Sequence, residues 1–219
     1  MTGRGSMGPS LRRVRTYVGL GANVGDAGAT LVEAVAALDR IPGAHVRGVS
    51  RLYATAPVGV TDQPEFRNAA VALDVRGTAD PAAGALALLA SLKGLERDFG
   101  RRRRRRWGPR ELDLDLLVYG RVRLSIERAE DARSLDAASD PEAAARRLVV
   151  PHPSADTRLF VLAPLADLAP GLVPPGWGRS VETARRRQLT VEGPDAVRAI
   201  GEWDPVAMTW RSIPTGQPR

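Results

Sequence analysis

The stretch Leu112–Leu117 reads LDLDLL, with two carboxylates two residues apart. Side chains alternate across a strand, so Asp113 and Asp115 share one face while Leu112, Leu114 and Leu116 share the other. Positions i and i+2 stand about 6.6 Å apart along a strand. Two carboxylates that close repel each other unless a cation lies between them. Hard oxygen ligands of this kind suit Mg²⁺, which takes one or two carboxylates together with substrate phosphates. A solvated charged face on an edge strand is the other reading of the pair. Just upstream, Arg101 to Arg106 are six consecutive arginines, followed by Trp107 and Arg110. A guanidinium is a planar fork of donors that matches phosphate oxygens in pairs. A basic loop beside an acid pair points to one ligand that is itself negative and carries metal. The loop could also be a solvated excursion or a nucleic-acid patch. Nucleic-acid surfaces, however, spread basic groups over a broad face with interleaved aromatics, and only Trp107 is close. Glycine and proline on either side give the loop the mobility of a lid.

Other motifs carry less. The glycines of GLGANVGD follow G-x-G-x-x-x-G, not the dinucleotide fingerprint, and no P-loop G-K-[ST] occurs. His45 and His152 are the only histidines, too few and too far apart for a zinc site. His152 lies between two prolines in VPHP, held as a ligand-facing hydrogen-bond donor, whereas His45 reads as a strand-edge residue with no role.

These residues need a scaffold. The chain has 219 residues, 43% of them hydrophobic, enough for one sizeable core. No cysteine is present, which removes disulfides and thiol chemistry and fits a reducing compartment. No apolar run is long enough to cross a membrane, so the cytoplasm is the expected location. The formal charge of +7 is carried almost wholly by arginine, Lys93 being the lone lysine. Ala, Gly, Pro and Arg are all abundant, as coding bias would make them, so the placement of charge says more than its sum.

Val14 to Gly21 reads as a buried strand. Helical spacing runs from Ala29 to Leu38, and a second strand from Val46 to Tyr53. Ala54 to Arg67 is a long loop, Asn68 to Val75 a third strand, and Pro81 opens a helix reaching about Phe99. Leu112 to Tyr119 closes the series. The order β-α-β-β-α-β is that of an α+β, ferredoxin-like split β-α-β sandwich, an antiparallel sheet with helices on one face. Residues 1–13 read as a disordered leader and 14–170 as one domain. Within it, about 127–147 is a charged, alanine-rich surface insertion. Residues 171–219 read as a partly disordered C-terminal extension that Trp177, Trp203 and Trp210 fold back at points.

RWGPRELDLDLL resembles the signature of the 6-hydroxymethyl-7,8-dihydropterin pyrophosphokinase family of folate biosynthesis. YVGLGANVGD, YATAPVGVTDQPEFRNAAVAL and VPHPSADTRLFVLAPLADLAP resemble further family segments, in family order, from about Val14 to Pro170. The resemblance implies transfer of the β,γ-pyrophosphoryl group of ATP to the pterin's hydroxymethyl oxygen, with AMP released. It implies two Mg²⁺ ions on Asp113 and Asp115, with Asp115 also taking the hydroxyl proton. Arg101, Arg103, Arg106 and Arg110 are implied at the phosphates with Trp107 beside them, Arg101 and Arg110 acting in catalysis. Glu96, His152 and Arg158 fall near the nucleotide. Thr55, Val58 and Asn68 would read the pterin's polar edge, and Phe66 and Phe160 would sandwich its ring. Ala56 departs from a family proline and Pro153 from a tyrosine found in some members, and the insertion has no counterpart in compact members. A stand-alone monomeric enzyme with small-molecule substrates follows, with no nucleic-acid or membrane partner. A basic nucleic-acid-binding module and a two-metal nuclease are the rival readings.

Overall fold

Strand β1 (Arg13–Ala22) buries Val18, Leu20 and Ala22 on one face and turns Tyr17, Gly19 and Gly21 to the other. It runs antiparallel between β4 (Phe66–Arg76) and β5 (Asp113–Tyr119). The computed structural model describes residues 12–57, 62–100, 109–127 and 147–213. Helix α1 (Ala27–Asp39) starts where Asp26 accepts a hydrogen bond from the Ala29 N–H. Helix α2 (Pro81–Asp98) starts as expected, with Asp80 as its cap and Pro81 in its first turn.

The segment read as one strand from Val46 to Tyr53 is two, β2 (Ala44–Val49) and β3 (Leu52–Thr55), both paired with β4. Ser50 makes the break. Its Oγ accepts from the Ala70 N–H at 2.8 Å while its own N–H donates to the Ala70 carbonyl. The next N–H, of Arg51, leaves the ladder for the Asp167 carboxylate. A side chain thus substitutes for ladder bonds at the kink.

The described sheet runs β5-β1-β4-β3-β8-β9, where β8 is Arg198–Asp204 and β9 is Thr209–Ser212, with β2 also on β4, and every pairing is antiparallel. With β2 and β3 counted as the two halves of one split strand, the elements from β1 to β5 keep the expected β-α-β-β-α-β order. The helices do not keep to one face. α1 and α2 cover the face of Val18, Leu20, Val71, Leu73, Leu112, Leu114 and Leu116. α3 (Leu159–Leu168) and α4 (Val181–Glu192) cover part of the other, against Tyr17, Ala72, Leu117 and Val118. The second face carries too much apolar surface to face water, and Leu162, Leu165 and Val181 bury it.

Strands β6 (Leu124–Glu127) and β7 (Arg147–Val150) form a separate hairpin. Between them, 128–146 of the expected insertion lies outside the described residues, as do 1–11 of the leader and 214–219 of the tail. Residues 171–213 do more than fold back at points. Helix α4 is followed by β8 (Arg198–Asp204) and β9 (Thr209–Ser212), which join the main sheet. Trp203 and Trp210 meet edge to face at 4.7 Å and pack on the main core, and Trp177 packs on the second. No described helix is long and apolar enough to cross a membrane.

Strand β5 is an edge, and an edge exposes unpaired backbone groups. Helix α2 covers them. The Glu96 carboxylate accepts from the Leu114 N–H at 2.7 Å, and Lys93 Nζ donates to the Leu114 carbonyl at 3.0 Å and to Glu96 at 2.6 Å. Glu96 is 2% exposed. Glu96→Ala would strand a buried N–H and remove one of the two partners of Lys93, and should cost about 1–3 kcal/mol of unfolding free energy. Glu96→Gln keeps an acceptor and should cost less. Equal denaturant midpoints for wild type and Glu96→Ala would mean that the carboxylate does not hold the edge.

Candidate active site

The leucines of LDLDLL are buried as the alternation requires, Leu112 and Leu114 fully and Leu116 to 3% exposure, and the two aspartates are half-buried on the opposite face. They open into a cleft of about 110 Å³ lined by Gly21, Thr55, Ala56, Phe66, Asn68, Arg110, Asp113, Asp115, Arg158 and Phe160. Strand register assembles it. Gly21 of β1 lies opposite Asp113 of β5 on one side and Asn68 of β4 on the other, and Thr55 of β3 lies opposite Phe66. The start of α3 supplies Arg158 and Phe160, with the guanidinium carbon 5.9 Å from the ring centroid.

Two pairs of polar groups hold each other. Asn68 Nδ2 donates to Thr55 Oγ1 at 2.8 Å, and both residues are buried. Arg110 Nη1 contacts Asp113 Oδ2 at 2.5 Å, with side chains 31% and 21% exposed. Gly21 forms the floor. A Cβ there would lie 3.3 Å from Asn68 Oδ1 and 3.9 Å from Asp113 Cβ, filling the space between the amide and the acid. Gly19 and Gly21 of GLGANVGD therefore lie within β1, and Gly21 clears room beside β5, a role unlike that of a dinucleotide loop.

Eight of the residues singled out from sequence meet in this cleft: Thr55, Phe66, Asn68, Arg110, Asp113, Asp115, Arg158 and Phe160. Phe66, expected in a loop, is the first residue of β4. Val58, Arg101, Arg103, Arg106 and Trp107 lie outside the described residues. Glu96 and His152 do not line the cleft. Glu96 sits behind β5, on the Leu114 backbone. His152 borders a larger hollow of about 390 Å³ with Arg123, Val149, Asp156 and Trp177, away from the acid pair. Size does not select the site here, because the larger hollow lacks paired carboxylates. The backbone N–H of His152 does reach the cleft's strand, donating to the Leu117 carbonyl. Its Nδ1 accepts from the Ser154 N–H at 3.3 Å, which in the neutral ring leaves the proton on Nε2.

Asn23 escaped the sequence reading. It is 2% exposed and joins three segments. Its Oδ1 accepts from the Arg110 N–H at 2.7 Å, its Nδ2 donates to Gln63 Oε1 and the Pro64 carbonyl, and its N–H donates to the Arg110 carbonyl. It thereby sets the backbone that carries Arg110 and the approach to Phe66.

The acid pair fits a divalent cation. Two hard carboxylates project to one side of a rigid strand, and no group of three or more metal-binding side chains occurs among the described residues. Such a set is incomplete alone and suits Mg²⁺ that draws its other ligands from phosphate and water.

A ferredoxin-like sheet with a carboxylate pair, two arginines and an aromatic-and-amide slot in one cleft defines a phosphoryl-transfer type of site for a flat substrate. The family model for 7,8-dihydro-6-hydroxymethylpterin-pyrophosphokinase matches residues 17–170. The chain is 42% identical over 159 residues to the 2-amino-4-hydroxy-6-hydroxymethyldihydropteridine pyrophosphokinase of Methylorubrum extorquens, covering 73% of this chain and 85% of that one. It is 39% identical to the Pseudomonas aeruginosa enzyme of the same name, covering 72% and 82%. The chain belongs to the 7,8-dihydro-6-hydroxymethylpterin-pyrophosphokinase family. Among solved structures, it resembles a bifunctional HPPK-DHPS with a TM-score of 0.65 at 12% identity, covering 92% of this chain and 48% of that one. A Plasmodium falciparum HPPK-DHPS matches at a TM-score of 0.64 and 14% identity, covering 92% and 49%. At such identity the likeness is one of fold.

Asp113→Ala and Asp115→Ala should each lower turnover at least about 10²-fold, the scale for removing one group that stabilises a transition state. Both side chains face the cleft and not the core, so thermal midpoints should stay near wild type. Near-normal turnover in either variant would remove the acid pair from the chemistry.

Proposed function

We propose that this enzyme uses Asp113 and Asp115 to carry ATP into transfer of its β,γ-pyrophosphoryl group to the hydroxymethyl oxygen of 6-hydroxymethyl-7,8-dihydropterin. The products are the pterin diphosphate and AMP, and the step belongs to folate biosynthesis. The observation that carries the reading is one cleft in which the acid pair and two arginines adjoin an aromatic slot with a buried Thr–Asn pair.

The flat pterin lies between Phe66 and Phe160, where offset stacking on two aromatic faces suits a heterocycle. Thr55 and Asn68 are mutually oriented before any ligand arrives, so they present fixed hydrogen-bonding groups to its polar edge. Val58 is assigned to the same edge. The pterin's hydroxyl oxygen forms its new bond to the β-phosphorus as the α,β-bridging oxygen leaves on AMP. The hydroxyl proton passes to Asp115, the carboxylate nearest the middle of β5. Such transfers depend on positioning and charge stabilisation more than on covalent help.

Asp113 and Asp115 would hold two Mg²⁺ ions, which would supply Lewis-acid polarisation of the phosphate oxygens. Arg110 and Arg158 place fixed positive charge where negative charge shifts during transfer. Arg101, Arg103 and Arg106, with Trp107, are assigned to the phosphates from the adjoining sequence. His152 offers its Nε2 donor to the nucleotide. Glu96, which the resemblance puts near the nucleotide, acts there through the Leu114 backbone. ATP as co-substrate and a cysteine-free composition suit the cytoplasm.

Incubation with ATP, Mg²⁺ and the hydroxymethyl pterin should yield AMP. ADP in its place would mean an ordinary kinase, and no turnover with tight, salt-sensitive oligonucleotide binding would favour the basic binding module. Phe160→Ala should weaken pterin binding by roughly 1–3 kcal/mol, the worth of one stacking face, and leave nucleotide binding nearly unchanged. Equal losses for the two ligands in calorimetry would make Phe160 a packing residue.

A further inference from the structure

We propose that the C-terminal hairpin β8–β9 is a positioning element for the pterin side of the cleft, acting through the β3 ladder and through Arg198 on Glu65. The inference rests on the assignment of Thr55, Phe66, Asn68 and Phe160 to the pterin. The family match ends at residue 170, so the hairpin is a feature that the matched segment leaves without a role.

Three contacts converge. The first is the ladder. β3 has four residues and ends at Thr55, and β8 pairs with it through Leu52–Gly201, Tyr53–Ala199 and Ala54–Arg198. Without β8, this strand would be a short edge with one neighbour, and short edges fray first. The second is at the kink before β3. Trp210 Nε1–H donates to the Ser50 carbonyl at 2.8 Å. Gly201 lets the hairpin sit close, since a Cβ there would lie 3.1 Å from Trp210 Cβ and 3.5 Å from Leu52 Cβ.

The third contact reaches the cleft wall directly. Arg198, opposite Ala54, extends past the end of β3 and donates to Glu65 Oε1 at 2.7 Å. Glu65 precedes Phe66, and its other oxygen takes Arg67 Nη1 at 3.2 Å. The hydrogen bond from Arg198 holds the Glu65 carboxyl below the ordinary glutamate range. Asn23 holds Gln63 and Pro64 from the opposite side. The chain that delivers Phe66 is therefore fixed from the acid pair's side by Asn23 and from the hairpin's side by Arg198. Neither Arg198 nor Glu65 lines the cleft. They act on Phe66 and Thr55, and so on the pterin, without touching ATP.

Steady-state kinetics on the full chain test this, with Arg198→Ala, Glu65→Ala, the double variant, Arg198→Lys and a truncation after Gly193. Arg198→Ala and Glu65→Ala should each raise KM for the pterin about two- to fivefold, the range for an exposed ion pair. KM for ATP and kcat should stay at wild-type values. The double variant should do no more than either single one, as for two residues in a single contact, and Arg198→Lys should restore part of the loss. The truncation should raise pterin KM further. If it does not fold, the point variants decide alone. Unchanged pterin KM in both point variants, equal rises for both substrates, or a lowered melting point with normal kinetics would overturn the proposal. Phe160→Ala, run alongside, separates the two levels. If it raises pterin KM while Arg198→Ala does not, only the hairpin's role falls. If neither does, the assignment of the cleft to the pterin falls first.

Discussion

The burial of Leu112, Leu114 and Leu116 against α1 and α2 fixes everything the site does. Each fully buried leucine is worth about 1.5–3 kcal/mol relative to exposure. A slip of one residue in the pairing of β5 with β1 would turn all three to the cleft and drive both aspartates into the core. Burying two unpaired carboxylates costs far more than the leucines could return. The observed register, Asp113 on Gly21 and Asp115 on Gly19, is therefore specified from both faces at once. Glu96 and Lys93 then hold the outer edge of the same strand, so the residue between the two acids is tied on every side.

A fixed strand is of use only if space lies beside it. Gly19 and Gly21 face the same side as the aspartates; Leu117 packs over Gly19, and Gly21 leaves the sheet open at the cleft floor. A Cβ at Gly19 would touch the Leu117 side chain at 3.4 Å, and one at Gly21 would stand between Asn68 and Asp113. The α3–α4 layer closes over Tyr17, Ala72, Leu117 and Val118 and stops short of this open floor. The cleft is the part of the second face that the helices leave uncovered, with Phe160 at its rim. Asp167, farther along the same helix, anchors that layer to the sheet by accepting from Arg51 and from the Tyr53 hydroxyl. Burial is the first cause that pushes the Tyr53 phenol well above its usual value, so it stays a neutral donor there.

What sequence makes legible here is local. Alternation in LDLDLL places acids and leucines on opposite faces, and Asp80 with Pro81 marks the start of α2, because each rests on contacts within a few residues. The resemblance adds Thr55, Phe66, Asn68, Arg158 and Phe160, which periodicity does not join. The features that escape depend on distant partners. Ser50 splits a strand because Ala70 lies opposite it, Asn23 bridges to residues 40 and 87 positions away, and β8 finds β3 across nearly 150 residues. The second helical layer escapes for a similar reason, since β-α-β-β-α-β spacing says nothing of helices that arrive after the last strand. Glu96 carries a different lesson, since an acid placed near a nucleotide by likeness also takes up the backbone between Asp113 and Asp115.

The juxtaposition of acid and base in RWGPRELDLD has an electrostatic logic that the cleft makes explicit. Asp113 and Asp115 contribute two negative charges, and Arg110 and Arg158, on the same cleft, contribute two positive ones. The site is balanced as it stands, with Arg110 already on Asp113. A bare acid pair would repel ATP, and a bare arginine cluster would repel the metal that ATP carries. On the proposed function, a balanced cleft would admit a ligand that is itself a balanced assembly of phosphate and divalent cation, acids meeting the cation and guanidinium groups meeting the phosphate. Because the Arg110–Asp113 contact is only partly shielded from water, exchanging it for these new partners costs little compared with breaking a buried pair. On the proposed function, the Arg110–Asp113 contact is the one that ATP and its cation would exchange, and Asn23 holds the Arg110 backbone rather than its side chain, so that exchange would not disturb its anchor.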